Sequence, residues 1–497
     1  MRTTRSPFIL LLGSSIALLV GFVVAQDTRG DSTRAPAAPA RYVTVPEGAG
    51  DRLAGAVRIR TISSEDPDAF DAEAFDAIHA YLRAAFPRVH RQLRRESVAT
   101  HSLLYSWPGS DSSLKPLLLA GHLDVVPVEP GSDGKWQHDP FSGSIADGFV
   151  WGRGAIDNKA GVLGALEAVE MLLAEDFRPT RTVYLAFGHD EEVGGARGAR
   201  EIAALLKARG VELEMVLDEG GVIGDGVLPG LSQPVALVGI AEKGFVSLEL
   251  SVRTAGGHSS LPPPQSAVGI LSAAIARLEA NPMPVRLEGP TRQLFDRIRP
   301  RLPLLQRTML ANLWLTRPLL LRRLEKNSGT NAMVRTTAAP TIFQAGTKDN
   351  VLPADAMAVV NFRILPGDTV ATVVEHVTRV VGDDRVSVKT AGRFAAEPSE
   401  VSSIDSEAFR TLERTIRSVA ADVIVAPYLV VVVTDARYYG GLSRNVFRFL
   451  PLRLTSRELE RMHGIDERIG IREYEAAIRT YRQLLIDAAG GRVDATS

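Results

Sequence analysis

Two adjacent glutamates, Glu191 and Glu192, close an apolar run in "GHDEEVGG". Burying both as anions would cost several kcal/mol each unless a strong positive charge lay nearby. A metal pair supplies such a charge. One carboxylate can then coordinate while its neighbour, turned away, serves as base for a metal-activated water. Read alone, the motif is equally well a solvated acidic turn, so its companions decide. His122 ends the apolar run "LLLAGHLD", and Asp124 lies two residues on, on the same face if the chain is extended there. A neighbouring carboxylate fixes one imidazole nitrogen and leaves the other for a metal. Asp157 sits in the Gly-rich turn "GRGAIDNKAG", where a carboxylate can bridge two cations or, more blandly, cap a helix. Asp218 follows "EMVL", and His463 lies in "RMHGIDERI" near the C-terminus. His189 and Asp190 flank the glutamates as a supporting shell.

Spacing ties these residues together. His122 to Asp157 and Asp157 to Glu192 are 35 residues each (157 − 122 and 192 − 157), and Glu192 to Asp218 is 26 (218 − 192). Those intervals match successive strand–helix units, so the acids can gather along one edge of one sheet; His463 must come back from 245 residues further on (463 − 218).

The elements that would position them follow the chain. Residues 102–109, 116–128, 182–192 and 214–221 read as strands, the second apolar enough to be buried on both faces. Residues 69–86, 158–175 and 195–210 carry helical spacing. Strands alternating with helices imply an α/β domain with a mostly parallel sheet, whose carboxyl edge is the usual place for a site. From about Lys243 the texture changes to an alternating strand (244–258), an amphipathic helix (266–280) and another strand (356–367), as in a smaller α+β domain. After about 396 the chain returns to helix, strand ("YLVVVVTDARYY") and a closing helix (473–489). The expected organisation is a leader at 1–25, a Pro/Ala linker at 26–45, and a catalytic domain at 46–242 and 396–497 interrupted by an inserted lid or dimerisation domain at 243–395.

Two segments stand apart. Arg2 and Arg5 precede an uncharged run from Ser6 to Ala25, which reads either as a cleavable signal or as a single membrane anchor, being close to the roughly 20 residues needed to span a bilayer. Either way the rest of the chain is exported, to the periplasm, the exterior or a membrane surface. Residues 291–326 hold nine Arg/Lys against two acids, Asp296 and Glu325, threaded with leucines and Trp314. Such a segment sits on a membrane surface, lines a greasy substrate mouth, or packs as a helical pair with its arginines in water.

Composition narrows the chemistry. The 497 residues are too many for one compact core, and the formal charge of −1 gives nucleic acid no reason to bind. With no cysteine there is no disulfide, thiolate ligand or cysteine nucleophile, so a metal must use carboxylates and the nine histidines.

Taken in order, "GHLDVVPV", "GRGAIDNKAG", "GHDEEVGG", "LDEGG", "GGHSS" and "NVLP…NFRILPGD" resemble the aminoacylase/carboxypeptidase di-zinc metallopeptidases, over about residues 45–490. "GTNAMVRTTAAPTIFQAGTKDNVLP" and "VVTDARYYG" resemble the carboxypeptidase S branch, which includes a secreted enzyme handling N-fatty-acyl amino acids. The resemblance implies two Zn²⁺, with His122 and Asp218 on one, Glu192 and His463 on the other, and Asp157 bridging. It implies that Asp124 orients His122, that Glu191 is the acid/base, and that His258 steadies the oxyanion. Asn350 and Arg363 would recognise a substrate carboxylate, and Arg437 would help bind substrate. Co²⁺ or Mn²⁺ would suit the same ligands. The expected reaction is hydrolysis of an amide beside a free carboxylate, in a peptide or an N-acyl amino acid. The competing expectations are a non-catalytic zinc-stabilised binding protein and a two-metal aminopeptidase, which would want an acid where Arg363 stands. In small relatives the inserted domain pairs two subunits, so a homodimer is a further expectation.

Overall fold

A computed structural model of the protein describes residues 38–228 and 230–492, so the leader expected at 1–25 lies outside the described residues. Ten strands form one mixed sheet. Its middle runs Ser102–Trp107, Val183–Gly188, Leu117–His122, Met215–Asp218, Val446–Arg448 and Val235–Glu242, with Ile424–Val430 paired to the last. The three strands Val183–Gly188, Leu117–His122 and Met215–Asp218 are mutually parallel, and His122 lies opposite Gly188 in register. Their carboxyl ends therefore come out on one edge, side by side.

Alternation along each strand builds two cores. Leu117, Leu119, Leu185, Phe187 and Leu217 point to one face, against the helices Lys159–Ala174 and Ile471–Ala489. Leu118, Ala186 and Val216 point to the other, against Ile202 and Leu206 of the helix Ala199–Ala208. The sheet is the middle of three layers, which explains why its central strand reads as an unbroken apolar run. Lys159–Ala174 is itself buried almost all round between the sheet and Ile471–Ala489.

A second, four-stranded antiparallel sheet runs in the order Thr337–Ala345, Asp355–Ile364, Gly244–Arg253, Val386–Ala396. The helices Ala267–Ala280 and Val370–Val381 cover one of its faces and enclose a separate core of Val246, Leu248, Val360, Phe362, Val373 and Val377. Two sequence expectations differ in detail. The expected strand "YLVVVVTDARYY" ends at Val430, and Asp435–Tyr439 forms a 3₁₀ turn. Residues 291–326 form several short helices, of which Gly289–Ile298 packs Leu294 and Ile298 on Val235 and Ala426 of the large sheet rather than on the small one.

His79, buried in the helix Ala72–Ala85, presents Nε2 to the carbonyl of His101 at 2.9 Å. Burial lowers its pKa from 6.5 to about 4, with Arg95 and His101 adding to the shift and that hydrogen bond opposing it. Between those values the unfolded chain holds the extra proton, so this group's contribution to stability falls as pH drops from 6.5 to 4. The variant His79→Gln should lose less thermal stability than the native chain over that window. Equal losses in paired melting curves would exclude His79 as the source.

Candidate metal centre

Each chemical side chain is delivered by an element end. His122 closes its strand, Glu191 and Glu192 form a short turn after Val183–Gly188, and Asp157 precedes the helix Lys159–Ala174. His463 stands with positive φ (60°) in the loop after the helix Ser456–Arg461. The two imidazoles meet at Asp157. His122 Nε2 lies 3.0 Å from Asp157 Oδ1, and His463 Nε2 lies 3.1 Å from Oδ2 of the same carboxylate. His463 Nε2 is also 3.2 Å from Glu192 Oε1. Three overlapping groups have ligand atoms within 4.8 Å of one another: His122–Asp157–Glu219, His122–Glu191–Glu192 and Asp157–Glu192–His463.

Asp124 acts twice. Its backbone carbonyl takes His122 Nδ1 at 2.9 Å, with the carboxylate at 3.4 Å, so the imidazole turns Nε2 towards Asp157. Its two carboxylate oxygens accept the backbone N–H groups of Glu191 (3.1 Å) and Glu192 (3.0 Å), which pins the glutamate turn to the histidine strand. His189, bonded to Ser102 Oγ at 2.7 Å, and Asp190, which accepts Arg197 N–H at 2.8 Å, brace that turn from below.

Charge at the site is out of balance. Burial raises Glu191 well above the carboxylate range, and Glu219, Asp435 and Glu192 push it further against the pull of His122. Burial lifts Asp218 to about 6 and Glu219 to about 8, and raises Glu192. Asp157 goes the other way: the hydrogen bonds and charge of both imidazoles outweigh its burial. Hydrogen bonds to Asp157 and Glu192 raise His463 to about 10. A buried oxygen on Asp218 (Oδ2) has no hydrogen-bond partner, and Glu192 Oε1 faces only His463 Nε2. Crowded acids, an orphaned oxygen and two imidazoles aimed into one space fit divalent cations, whose binding would displace the protons that burial forces on these groups.

Other expected residues lie differently. Asp218 ends the next strand, buried, with Oδ1 taking the N–H of Glu219 at 2.9 Å; it is Glu219 whose Oε1 reaches His122 Nε2 at 3.1 Å. Glu219 also accepts a short hydrogen bond from Asn158. His258 and Asn350 lie at an exposed two-stranded ladder that pairs the remote segments Gly257–His258 and Val351–Leu352, where Ser259 N–H binds the Asn350 carbonyl at 3.1 Å and His258 Nδ1 meets Ser260 Oγ at 2.7 Å. None of their described contacts reaches the cluster. Arg363 lies over the Phe245 ring at 4.9 Å, Phe245 stacks on Phe394 at 5.5 Å, and Arg437 lies over Phe394 at 4.7 Å. Arg437 then donates to the Gly194 carbonyl at 2.6 Å and to Thr434 O at 2.8 Å, so its donors hold the glutamate turn.

Sequence reasoning passed over three residues. Arg153 and Glu467 form a buried pair at 2.6 Å. Glu467 Oε1 accepts the N–H groups of Ile156 (2.9 Å) and Asp157 (3.3 Å), while Arg153 donates to the carbonyls of His463 (3.0 Å) and Gly464 (3.2 Å). The pair thus clamps the Asp157 turn to the His463 loop. Its signal was an acid four residues after His463 and an arginine four before Asp157. Asp435 is the third: both its oxygens are buried and unpartnered, and a Cβ at Gly195 would overlap Oδ1, which accounts for glycine in that turn.

The sequence pattern of peptidase family M20/M25/M40 matches residues 118–487. The chain belongs to this family, and it is a metal-dependent amide hydrolase. Among relatives, it is 44% identical over 438 residues to a probable carboxypeptidase S-like 2 of Dictyostelium discoideum, covering 87% of this chain and 84% of that one. It is 40% identical over 484 residues to the N-fatty-acyl-amino acid synthase/hydrolase of Bos taurus, covering 95% of each. An M20 family metallo-carboxypeptidase from Sulfolobus solfataricus shares the fold, with a TM-score of 0.62 at 19% identity over 88% of this chain and 99% of that one.

Removing the clamp tests the geometry. Glu467→Gln keeps the shape but leaves Arg153 buried without its anion. Metal affinity should fall about 10- to 100-fold, as for other partners that orient ligands. Competition against a chelator measures it, and an unchanged affinity would show that the two loops hold their positions without the pair.

Proposed function

We propose that this protein hydrolyses an amide bond beside a free carboxylate, with two zinc ions held by His122, Asp157, Glu192, Asp218 and His463. The observation that carries the reading is the Asp157 carboxylate, with one imidazole on each oxygen, and Glu191 and Glu192 grouped around the His122 imidazole. When bound, the zinc pair supplies the charge that polarises the amide carbonyl and lowers the pKa of a water towards about 7. Glu191 takes the proton of the attacking water and passes it to the departing amine, a role its dry surroundings suit. Asp124 holds both Glu191 and His122 in place through these steps. Asp218 is assigned as ligand through its orphaned Oδ2; Glu219, which accepts from Asn158 and lies against His122 Nε2, is a further carboxylate within reach of the same cation.

Arg363 is assigned to the substrate carboxylate, with Asn350 alongside. Its guanidinium stacks on Phe245, and burial lowers its pKa, so an anion would be welcome there. His258 is assigned to the oxyanion and must be carried to the cluster by movement of the small sheet or by a second subunit. A homodimer is supported by the edge strand Thr337–Ala345, which is exposed along nearly its whole length and offers Ile342 and Phe343 to a partner. The domain reading keeps 46–242 with 396–497 as catalytic body and 243–395 as insertion, supported by the separate core of the small sheet. Export rests on residues 2–25 alone; among the described residues no helix is long and apolar enough to cross a membrane.

Purified protein loaded with zinc should cleave N-acyl amino acids or dipeptides, and turnover of neither would refute the reading. Glu191→Gln should abolish turnover with two zincs retained per chain, whereas Asp218→Asn should hold fewer. Light scattering should give twice the chain mass, and a charge placed at Phe343 should return the monomer.

A further inference from the structure

The helix Leu313–Leu324 is apolar on both sides. Leu313, Leu320 and Leu324 turn inward and pack with Leu287, Leu310 and Val334. At about 100° per residue, Trp314, Leu315, Pro318, Leu319 and Arg322 fall on one outward arc. Trp314 is 64% exposed, Leu315 55% and Leu319 63%; Leu304 and Leu305, at the start of the preceding helix Leu304–Ala311, are exposed as well. A helix with apolar residues all round calls for a second apolar environment, and this one has water on its outer side.

The charges around it identify that environment. In the same segment Arg292 is paired with Asp296, Arg297 with Glu413 and Arg317 with Glu288. Arg301, Arg322 and Arg323 are exposed and make no ion pair among the described residues. Unpaired guanidinium groups beside exposed leucines and a tryptophan match the interface of an anionic bilayer, where Trp sits at headgroup depth and each cation adds attraction. A second copy of this face would set Arg322 and Arg323 against themselves. A site enclosing one acyl chain would bury its lining, and these side chains stand out from the surface.

We propose that Leu304–Ala311 and Leu313–Leu324 form a docking surface for anionic lipid, through which the folded protein lies on a membrane independently of its N-terminal segment. Bromine-labelled lipid tests this on the full chain, because it quenches only tryptophans that enter the bilayer interface: Trp107 and Trp151 are buried, and Trp136, half-buried, carries the Arg153 guanidinium over its ring. Phosphatidylcholine vesicles containing phosphatidylglycerol should quench fluorescence in the native chain but not in Trp314→Phe. The double variant Arg322→Gln/Arg323→Gln should need roughly thirtyfold more lipid for half-maximal quenching. Leu315→Ser/Leu319→Ser should weaken it too, so the test does not rest on one variant. Quenching that survives Trp314→Phe, or is equal on phosphatidylcholine alone, overturns the proposal. So does a Trp314-dependent doubling of mass without lipid, or a Trp314→Phe defect confined to turnover of long-chain substrates in the absence of vesicles.

Discussion

The site depends on one carboxylate being faced by two imidazoles. Asp157 takes His122 on one oxygen and His463 on the other, although the two histidines lie 341 residues apart (463 − 122). An anion so placed can bridge two cations only if all three elements that carry the residues are held rigidly. The strand of His122 is held by the sheet. The turn of Asp157 and the loop of His463 are held by each other, through Arg153 and Glu467. Such a buried pair contributes little to stability against an apolar alternative, but removing one partner leaves a charge without compensation. Its value here is position.

The same edge gathers more acid than its histidines can neutralise. Asp124, Glu191, Glu192, Asp218 and Glu219 lie at or beside the ends of parallel strands, and Asp157 joins them from the turn before Lys159–Ala174. Without cations the histidines are driven to keep their protons and Glu191, Asp218 and Glu219 to take them up. Metal ions remove that conflict, which couples metal loading to the protonation of the whole cluster. Asp124 accepts two backbone N–H groups with its carboxylate, which ties the glutamate turn to the histidine strand.

The small sheet communicates with this edge through a stack of rings and guanidinium groups. Arg363, Phe245 and Phe394 belong to the small sheet, and Arg437 continues the stack to the carbonyl of Gly194, two residues beyond Glu192.

Much of the frame was legible in the sequence, for local reasons. An apolar run buried on both faces can only be an inner strand, and a helix such as Lys159–Ala174 declares itself by length and composition. The 35 residues from Asp157 to Glu192 do span one helix and the sheet strand Val183–Gly188, whereas the equal interval from His122 to Asp157 holds only a 3₁₀ turn and the short strands Ser144–Ala146 and Phe149–Trp151, so the equal spacing is not that of two like units. Residue type alone limited any metal to nitrogen and oxygen ligands, since the chain has no cysteine. Other features belonged to the tertiary structure because they depend on distance between remote segments. Whether Asp218 or Glu219 turns towards His122 is a matter of side-chain direction at the end of one strand, and both are acids. Arg153 and Glu467 become a pair only because the fold buries them against each other. Arg437 had the composition of a substrate ligand, and only packing against Gly194 and Phe394 showed where its donors go. Sequence periodicity records which face is dry; it carries no information about which two loops, 314 residues apart (467 − 153), will share one buried ion pair.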